Sequence, residues 1–392
     1  KSLQVFHYRQ DRSFYKPKNY SPEASIASGL IQTISDNIPA GSAREYGFLY
    51  AGPAAFGFLK WIENQSRKDE IDHILFMSRD GFLLSRIASG KVSSSLPVSN
   101  YFLGSRIAFT LAAITENNFT SYLPFLMSGS DGLSPFELLD RIGVAAPSAE
   151  LMESFGLSDE SIITLDDTHE LQRFLYAYRW EILKVCKRNR QALFNYMLEL
   201  GIDDGKKIAI VDVGWSGSTQ EAFELAVQDF MKLDVYGYYF CLVDTPECLQ
   251  RRTKQRMSAL FSTASIGAEA VNEIYKNRVT IETFFSAPHH TVIGLMNSPE
   301  GVVAVEDAGR GTDKEALDRC EGIVQGGEDF YMYYDRLITE IGFPLDYLSI
   351  ANLIVEFSVG KSWHQSELFS GIHNFDTWAS TKNKKVNLSD YV

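Results

Sequence analysis

Residues 206–219 join an apolar run to a loop whose side chains suit phosphate and sugar chemistry. Residues 208–211 are apolar, and Asp212 follows them directly. The loop then supplies small and hydroxyl-bearing residues, namely Gly214, Ser216, Gly217, Ser218 and Thr219. Residues 220–227 have helical spacing, and the N–H groups that begin a helix bind phosphate well. The pattern predicts a phosphate loop after a buried strand, with Asp212 accepting hydrogen bonds from sugar hydroxyls.

A second stretch, residues 72–88, has the same strand–turn–helix pattern. Its turn consists of Ser78, Arg79, Asp80 and Gly81. The guanidinium of Arg79 can bind phosphate oxygens through two N–H groups at once. Gly81 allows the backbone to approach a ligand closely, because glycine has no side chain. A third, shorter β-prone run at residues 98–103 leads to Arg106.

These three turns all follow predicted parallel strands, and ligands of open α/β sheets bind beyond the carboxyl ends of the strands. Each turn alone also fits an interpretation in which it binds no ligand. The loop could be an ordinary strand–turn–helix junction, Arg79 and Asp80 a surface ion pair, and Arg106 a solvated arginine. The loop has neither the Gly-Lys-Ser/Thr ending of a Walker A loop nor the three glycines of a dinucleotide fingerprint. Their order along the chain favours one shared site.

Other candidate groups lie between residues 279 and 294. Residues 256–263 and 279–285 are predicted strands, and the second contains Glu282. The adjacent His289 and His290 follow Pro288, and histidine is a natural general base near neutral pH. A solvated turn is the alternative for this segment. The four cysteines, Cys186, Cys241, Cys248 and Cys320, show no paired spacing, which argues against a zinc site or a disulfide framework and favours a reducing compartment.

Composition excludes several classes of protein. The 392 residues are 45% hydrophobic and 22% charged, which is typical of a globular protein. The formal net charge of −13 and the lack of a basic cluster argue against a nucleic-acid-binding surface. Every apolar run is shorter than the roughly 18–20 residues of a membrane span.

The loop at 212–219 resembles the phosphoribosyl-diphosphate (PRPP) loop of type I phosphoribosyltransferases. That loop has four apolar residues, two acidic residues, a short spacer and then Thr/Ser-Gly-x-Thr. Aligning Ser216 to Thr219 with its last part places Asp212 on the second acidic position and Val211 on the first. The chain therefore has one carboxylate where that family has two.

The resemblance extends to the other two turns and implies a role for each residue. The family's pyrophosphate turn corresponds to residues 78–81, with Asp80 as an extra residue, and a basic residue after the next strand corresponds to Arg106. Residues 216–219, with Gly214, would bind the 5-phosphate, and Asp212 the ribose hydroxyls. The diphosphate would be bound by Ser78, Arg79, Gly81 and Arg106. Asp80 would serve the diphosphate through Mg²⁺. The candidate catalytic residues are Asp80, Asp212, Glu282 and His289, and the base that deprotonates the acceptor is left open among Asp80, Glu282, His289 and His290.

Segments at 50–53, 76–81, 212–218 and 285–289 also resemble landmarks of one group of bacterial polysaccharide-biosynthesis proteins. In that group the region often follows a haloacid-dehalogenase-type phosphatase domain, whose D-x-D-x-T signature is absent from this chain. The resemblance implies transfer of 5-phosphoribofuranose from PRPP to a sugar hydroxyl of a lipid-linked O-antigen or capsule glycan. A companion phosphatase, fused or separate, would then remove the 5-phosphate.

Together these observations predict an α/β fold of the type I phosphoribosyltransferase kind, a mainly parallel sheet flanked by helices. Residues 46–106 and 201–305 form the predicted core, after a leader at 1–45. Residues 107–200 are a predicted helical insertion, and residues 306–392 a helical C-terminal region with a polar tail after Thr381. We expect a cytoplasmic glycosyltransferase, working in solution or at the inner membrane face. The alternatives are a nucleotide-sugar-dependent glycosyltransferase of the same pathway, or a non-catalytic PRPP- or phosphosugar-binding module. A phosphatase is disfavoured because its signature is missing.

Overall fold

A computed structural model describes residues 21–34, 37–90, 95–158, 161–164, 168–307, 314–342, 344–370, 372–374 and 386–388. A five-stranded sheet forms its centre, with every neighbouring pair of strands parallel. The strands are β1 (His73–Met77), β2 (Val98–Phe102), β3 (Lys207–Trp215), β4 (Asp234–Leu242) and β5 (Arg256–Phe261). The predicted α/β class with a mainly parallel sheet is confirmed.

Helices precede, separate and follow these strands. Those up to residue 199 are α1 (Pro22–Ile34), α2 (Ala43–Tyr46), α3 (Gly52–Asp69), α4 (Phe82–Ser89), α5 (Arg106–Ala113), α6 (Leu123–Met127), α7 (Pro135–Ile142), α8 (Ala149–Glu153), α9 (Thr168–Ala177) and α10 (Arg179–Glu199). The later ones are α11 (Ser218–Val227), α12 (Pro246–Arg252), α13 (Thr263–Ile266), α14 (Ala268–Lys276), α15 (Arg278–Phe285), α16 (Lys314–Ile341), α17 (Tyr347–Val359) and α18 (Glu367–Ser370). A π-helical turn, Gly47–Ala51, joins α2 to α3, and Phe119–Tyr122 and Ser362–Gln365 are 3-10 turns.

Two short antiparallel pairs complete the described structure. The hairpin of β6 (Val292–Ser298) and β7 (Gly301–Glu306) lies between α15 and α16 in the sequence. A second pair joins β8 (His373–Asn374) to β9 (Val386–Asn387). Residues 1–20 of the predicted leader, and the predicted tail after Thr381 apart from residues 386–388, lie outside the described residues.

The order of the strands in the sheet is β2-β1-β3-β4-β5. From β1 the chain moves to one edge to form β2, then returns to the other side of β1 to form β3. The carboxyl ends of β1 and β3 therefore flank the point where the winding direction reverses, which is where open α/β sheets bind ligands. Both of the polar turns with the strongest sequence patterns follow these two strands.

Alternate residues of each central strand face two different hydrophobic layers, as the pleat of a strand requires. In β1, Ile74 and Phe76 pack into the layer formed with α3, α4, α15, α16 and α17. Leu75 and Met77 pack into the opposite layer, formed with α5, α10 and α11. The C-terminal helices α16 and α17 thus cover one face of the central sheet.

The predicted helical region 107–200 has two structural roles. Its first and last helices, α5 and α10, cover one face of the sheet. The helices between them pack around a separate apolar cluster that includes Leu138, Phe174 and Ile182. Residues 128–134 lie between α6 and α7, and residues 145–148 lie between α7 and α8.

One predicted element is wrong. Residues 279–285 form helix α15 and not a strand. Their β-branched and aromatic side chains favoured a strand. However, Ile281 and Phe285 are four residues apart and both fully buried, so they lie on one helix face against the core. Burial of that face outweighs the weak β preference of the residue types.

A continuous helical path runs from Ala43 to Asp69 and includes the π-helical turn that ends at Ala51. Pro53 lies in the first turn of α3 and has no N–H to donate, so the hydrogen-bond ladder changes there.

Candidate functional site

The turn after β1 brings Arg79 and Asp80 to the carboxyl edge of the sheet. All five residues of β1 are buried, and the chain reverses at Ser78 to begin α4. The N–H of Gly81 donates to the carbonyl oxygen of Met77 at 2.8 Å. A Cβ at position 81 would lie 2.7 Å from both the nitrogen and the oxygen of Met77, so the tight turn requires glycine. This contact is with the protein's own strand, and the predicted approach of Gly81 to a ligand stays a prediction.

The loop after β3 is shaped by two glycines. Gly214 has φ +155°, and a Cβ there would lie 2.4 Å from the carbonyl oxygen of Cys241 in the neighbouring strand. The peptide bond between Gly214 and Trp215 is cis. Gly217, with φ +74°, precedes α11, and no side chain caps this helix. The first backbone bond of the helix runs from Glu221 N–H to Gly217 O, which leaves the N–H groups of Ser218 and Thr219 directed away from the helix.

The carboxyl groups of Asp80 and Asp212 meet between these two turns, within hydrogen-bonding distance of each other. Burial and the neighbouring Asp212 raise the pKa of Asp80 to about 8, and the charge of Arg79 opposes this shift. Burial raises the pKa of Asp212 to about 6, although the backbone N–H of Val213 and the hydroxyl of Thr219 donate to its carboxylate. At neutral pH the pair therefore shares one proton. Asp212 is 7% exposed, whereas Asp80 keeps partial access to solvent.

Glu282 lies close enough to add negative charge to this pair. Its charge raises the pKa of Asp212, and its Oε1 accepts a hydrogen bond from Trp215 Nε1 at 2.6 Å. Trp215, the last residue of β3, is 8% exposed. Helix α15 therefore positions Glu282 at the site, even though the sequence predicted a strand there.

Arg79 and His289 are linked through a residue that the sequence analysis did not identify. The backbone N–H of Arg79 donates to the hydroxyl oxygen of Tyr101 at 2.8 Å, and that hydroxyl lies 2.5 Å from His289 Nε2. The Arg79 guanidinium donates a long bond, 3.4 Å, to Thr291 Oγ1. The hydroxyl of Ser78 is buried and has no hydrogen-bond partner among the described residues. In sequence terms Tyr101 is an ordinary aromatic residue of β2, so no motif marks it.

Arg106 and His290 are less closely involved. Arg106 is the exposed first residue of α5, and within the described chain its side chain forms no ion pair or hydrogen bond. His290 supplies its carbonyl oxygen to His289 Nδ1 at 2.7 Å, while its own Nδ1 is buried without a hydrogen-bond partner among the described residues. The structure thus brings together Arg79, Asp80, Asp212, Glu282 and His289, and within the described residues no side-chain contact joins Arg106 to them.

Arg251 is a second residue that the sequence analysis missed. It lies in the last turn of α12, after the carboxyl end of β4. Its Nη1 contacts the carbonyl oxygen and Oγ of Ser216 at 3.3 and 3.4 Å, and its Nε donates to Glu221 at 2.6 Å. The available signal in the sequence was a basic residue in the helix that follows β4, the strand beside the Ser216 loop. It places a positive charge beside the loop at 216–219.

The Asp80 and Asp212 pair is a suitable donor set for Mg²⁺. Two carboxyl groups in contact can both ionise only with a cation between them, and Mg²⁺ is commonly held by one or two carboxylates together with substrate phosphates. Within the described ranges, no cluster of three or more His, Cys, Asp or Glu residues is arranged to hold a metal.

A cavity of about 450 Å³ lies at the other end of the sheet, where β4 and β5 begin. Its lining includes Glu224, Asp234 and Arg256 and none of the residues of the carboxyl pair. Because ligands of parallel α/β sheets bind at the carboxyl ends of the strands, we assign the candidate site to the pair and not to this cavity.

Comparisons with known proteins leave the family open. No protein-family model matches the chain, and no curated protein sequence is significantly similar to it. Among the helices of the described residues, none combines the length and the apolar character needed to cross a membrane.

Proposed function

We propose that this protein is a glycosyltransferase that uses PRPP as its donor. The observation that carries the proposal is the contact between Asp80 and Asp212 beside Arg79, at the point of the sheet where ligands bind. In this arrangement the two carboxylates can bind a ribose and a cation. The guanidinium of Arg79 lies close to them and can bind a diphosphate. The resemblance of the loop at 212–219 to a PRPP loop supports the same donor.

In this proposal the loop after β3 and the turn after β1 bind different parts of the donor. Ser216, Ser218 and the N–H groups that begin α11 bind the 5-phosphate, with Arg251 adding positive charge. Asp212 accepts hydrogen bonds from the ribose hydroxyls. Arg79 binds the diphosphate from the other side. Thr219 has a different role from the expected one, because its hydroxyl donates to Asp212 and orients that carboxylate.

In the proposed reaction an acceptor hydroxyl oxygen bonds to C1 of the donor while the bond from C1 to the diphosphate oxygen breaks. The bonding electrons leave with diphosphate, and the hydroxyl proton passes to a base. When bound, Mg²⁺ neutralises charge on the leaving group. Arg79 supplies a fixed positive charge for the same purpose, and such preorganised charge is commonly the largest contribution to catalysis.

Two carboxylates are the best candidates for the base. Asp80 has a pKa raised to about 8 and keeps solvent access, which suits a general base near neutral pH. If Asp80 instead holds Mg²⁺, Glu282 is the remaining carboxylate beside Asp212. Both nitrogens of His289 already have hydrogen-bond partners.

The resemblance to polysaccharide-biosynthesis proteins suggests the rest of the pathway. On this proposal the acceptor is a sugar hydroxyl of a lipid-linked bacterial surface glycan on the cytoplasmic side. The product keeps the 5-phosphate of the donor, so a phosphatase must act next. The acidic chain, with a net charge of −13, would need a partner to bring it to an anionic membrane surface.

Calorimetry with PRPP and Mg²⁺ tests the donor, with ribose 5-phosphate, diphosphate and nucleotide sugars as comparisons. We expect Mg²⁺-dependent binding of PRPP that is strongly weakened in Arg79→Ala and kept in Arg336→Ala, an exposed arginine that pairs with Glu340 within α16. With an acceptor present, Asp212→Asn should abolish transfer while the fold is retained. Binding of a nucleotide sugar without binding of PRPP would replace this proposal with the nucleotide-sugar alternative, and unchanged transfer by Asp212→Asn would refute the site.

A further inference from the structure

Arg79 adopts a backbone conformation that its residue type disfavours. Its φ is +71°, in the left-handed region that glycine, asparagine and aspartate occupy more readily than arginine. Within the described residues, Glu70 and Lys361 are the other non-glycine residues with positive φ, and both lie at helix ends. Surrounding contacts must hold Arg79 in this conformation, because nothing in its own chemistry does.

A chain of three hydrogen bonds with a defined direction supplies those contacts. His289 Nδ1 lies 2.7 Å from the carbonyl oxygen of His290, which can only accept, so in the neutral ring Nδ1 carries the proton. His289 Nε2 is then an acceptor, and the Tyr101 hydroxyl donates a hydrogen bond to it at 2.5 Å. The Tyr101 oxygen is left to accept the N–H of Arg79 at 2.8 Å.

Aromatic packing fixes the same three segments. The ring of Tyr101 meets the rings of Phe82 and His289 at centroid distances of 5.2 and 5.8 Å. Phe82 is the first residue of α4, directly after the turn. The turn is therefore clamped between β2 and the segment before β6, and Thr291 of that segment also contacts the Arg79 side chain.

We propose that Tyr101 and His289 are positioning residues that hold Arg79 in the geometry needed to bind the diphosphate group. This inference rests on the proposed function, since it assigns a purpose to the site that uses Arg79. It also gives His289 a role other than base. When Nε2 of His289 accepts a hydrogen bond from the Tyr101 hydroxyl, it is not free to take a proton from the hydroxyl of the sugar acceptor.

Substitutions at position 289 separate positioning from base catalysis. The side-chain oxygen of a glutamine can take the place of Nε2 and accept from Tyr101, but an amide cannot act as a base at neutral pH. His289→Gln should therefore keep diphosphate affinity and turnover within about threefold of wild type. His289→Phe keeps the ring and loses the acceptor, so we expect diphosphate affinity to fall roughly five- to thirtyfold, as for loss of one buried hydrogen bond.

Tyr101→Phe tests the second link with a ligand-free readout. It removes only the hydroxyl, and we expect faster hydrogen exchange at the Arg79 amide together with weaker diphosphate binding in the presence of Mg²⁺. Tyr178→Phe is the matched control, because its hydroxyl donates to the Ala145 carbonyl in the helical region away from the site. The control should leave diphosphate affinity unchanged. If Tyr101→Phe fails to fold, the two His289 variants still decide the question.

The outcomes distinguish this inference from the proposed function. Wild-type affinity for diphosphate in both Tyr101→Phe and His289→Phe would overturn the inference alone. Loss of turnover in His289→Gln with diphosphate affinity intact would also overturn it and make His289 the base. Wild-type protein that binds neither PRPP nor diphosphate would overturn the proposed function and this inference together.

Discussion

At the scale of single residues, the candidate site depends on the contact between Asp80 and Asp212. The sequence analysis identified both carboxylates, because Asp212 directly follows an apolar run and Asp80 lies in the turn after another such run. It assigned them to separate ligands, Asp80 to a metal and Asp212 to a ribose. The structure adds that they touch and share a proton, which depends on the parallel pairing of β1 and β3. The pairing of β1 with β3 cannot be predicted from either motif alone.

The shared proton predicts how stability depends on pH. An aspartate in the unfolded chain has its usual pKa of 3.8, whereas Asp212 and Asp80 have pKa values raised to about 6 and about 8 in the folded protein. Between pH 4 and pH 8 the folded protein binds more protons than the unfolded chain, so this pair makes the free energy of unfolding fall as pH rises. Asp80→Asn removes one charge, and we expect it to be more stable than wild type at pH 8.5 by roughly 1–3 kcal/mol.

Urea unfolding of both proteins at pH 5, 7 and 8.5, with metals chelated, measures the effect. The difference in free energy of unfolding between Asp80→Asn and wild type should become smaller towards pH 5, where the pair in wild type is mostly protonated. Asp203→Asn neutralises an exposed aspartate and serves as the control, with the same difference from wild type at every pH. A difference for Asp80→Asn that does not change between pH 5 and pH 8.5 would contradict the shared proton.

At the scale of elements, sequence patterns predicted the strands and most helices because burial produces regular spacing. The strand before Asp212 and the helices on both sides of residue 178 follow this rule. Prediction failed at α15, where the residue types favoured a strand but a helical face is buried. It also missed Arg251, because the contact of α12 with the Ser216 loop depends on how β4 is paired with β3.

Arg251 allows the two halves of the proposed donor site to be tested separately. Its guanidinium has one short bond to Glu221 and only long contacts to Ser216, so further N–H groups can turn to a phosphate. In Arg251→Ala we expect affinity for ribose 5-phosphate to fall roughly five- to thirtyfold, with diphosphate affinity unchanged. Arg79→Ala should show the reverse pattern. Calorimetry with each ligand separately makes the comparison.

The neighbouring arginine provides the control for this prediction. Arg252 belongs to the same helix turn, pairs with Asp244 and is more exposed. Arg252→Ala should bind both ligands as wild type does. Equal ribose 5-phosphate affinity in Arg251→Ala and Arg252→Ala would remove Arg251 from the site.

At the scale of the whole molecule, the site joins parts of the chain that are far apart in sequence. The Arg79 side chain and Thr291 are in contact although 212 positions separate them. The hydrophobic layer on one sheet face likewise combines α3 with the C-terminal helices. Sequence patterns are local and describe each motif by itself. The distances between motifs depend on how the strands pair and how the two hydrophobic layers pack on the sheet.

A ligand that bridges these parts must stabilise the entire fold, because it binds the folded protein and not the unfolded chain. At a concentration 100-fold above its dissociation constant, PRPP with Mg²⁺ should raise the free energy of unfolding by about 2.7 kcal/mol. Because the unfolding entropy grows with chain length, we expect the midpoint of thermal unfolding of this 392-residue chain to rise by roughly 3 °C. Arg336→Ala should show the same rise and Arg79→Ala a clearly smaller one at equal ligand concentration. Because diphosphate and ribose 5-phosphate each reach only one half of the site, each alone at that concentration should give a smaller rise than PRPP. An equal rise in Arg79→Ala would mean that PRPP binds elsewhere on the protein, and the assignment of the site to the edge formed by β1 and β3 would be wrong.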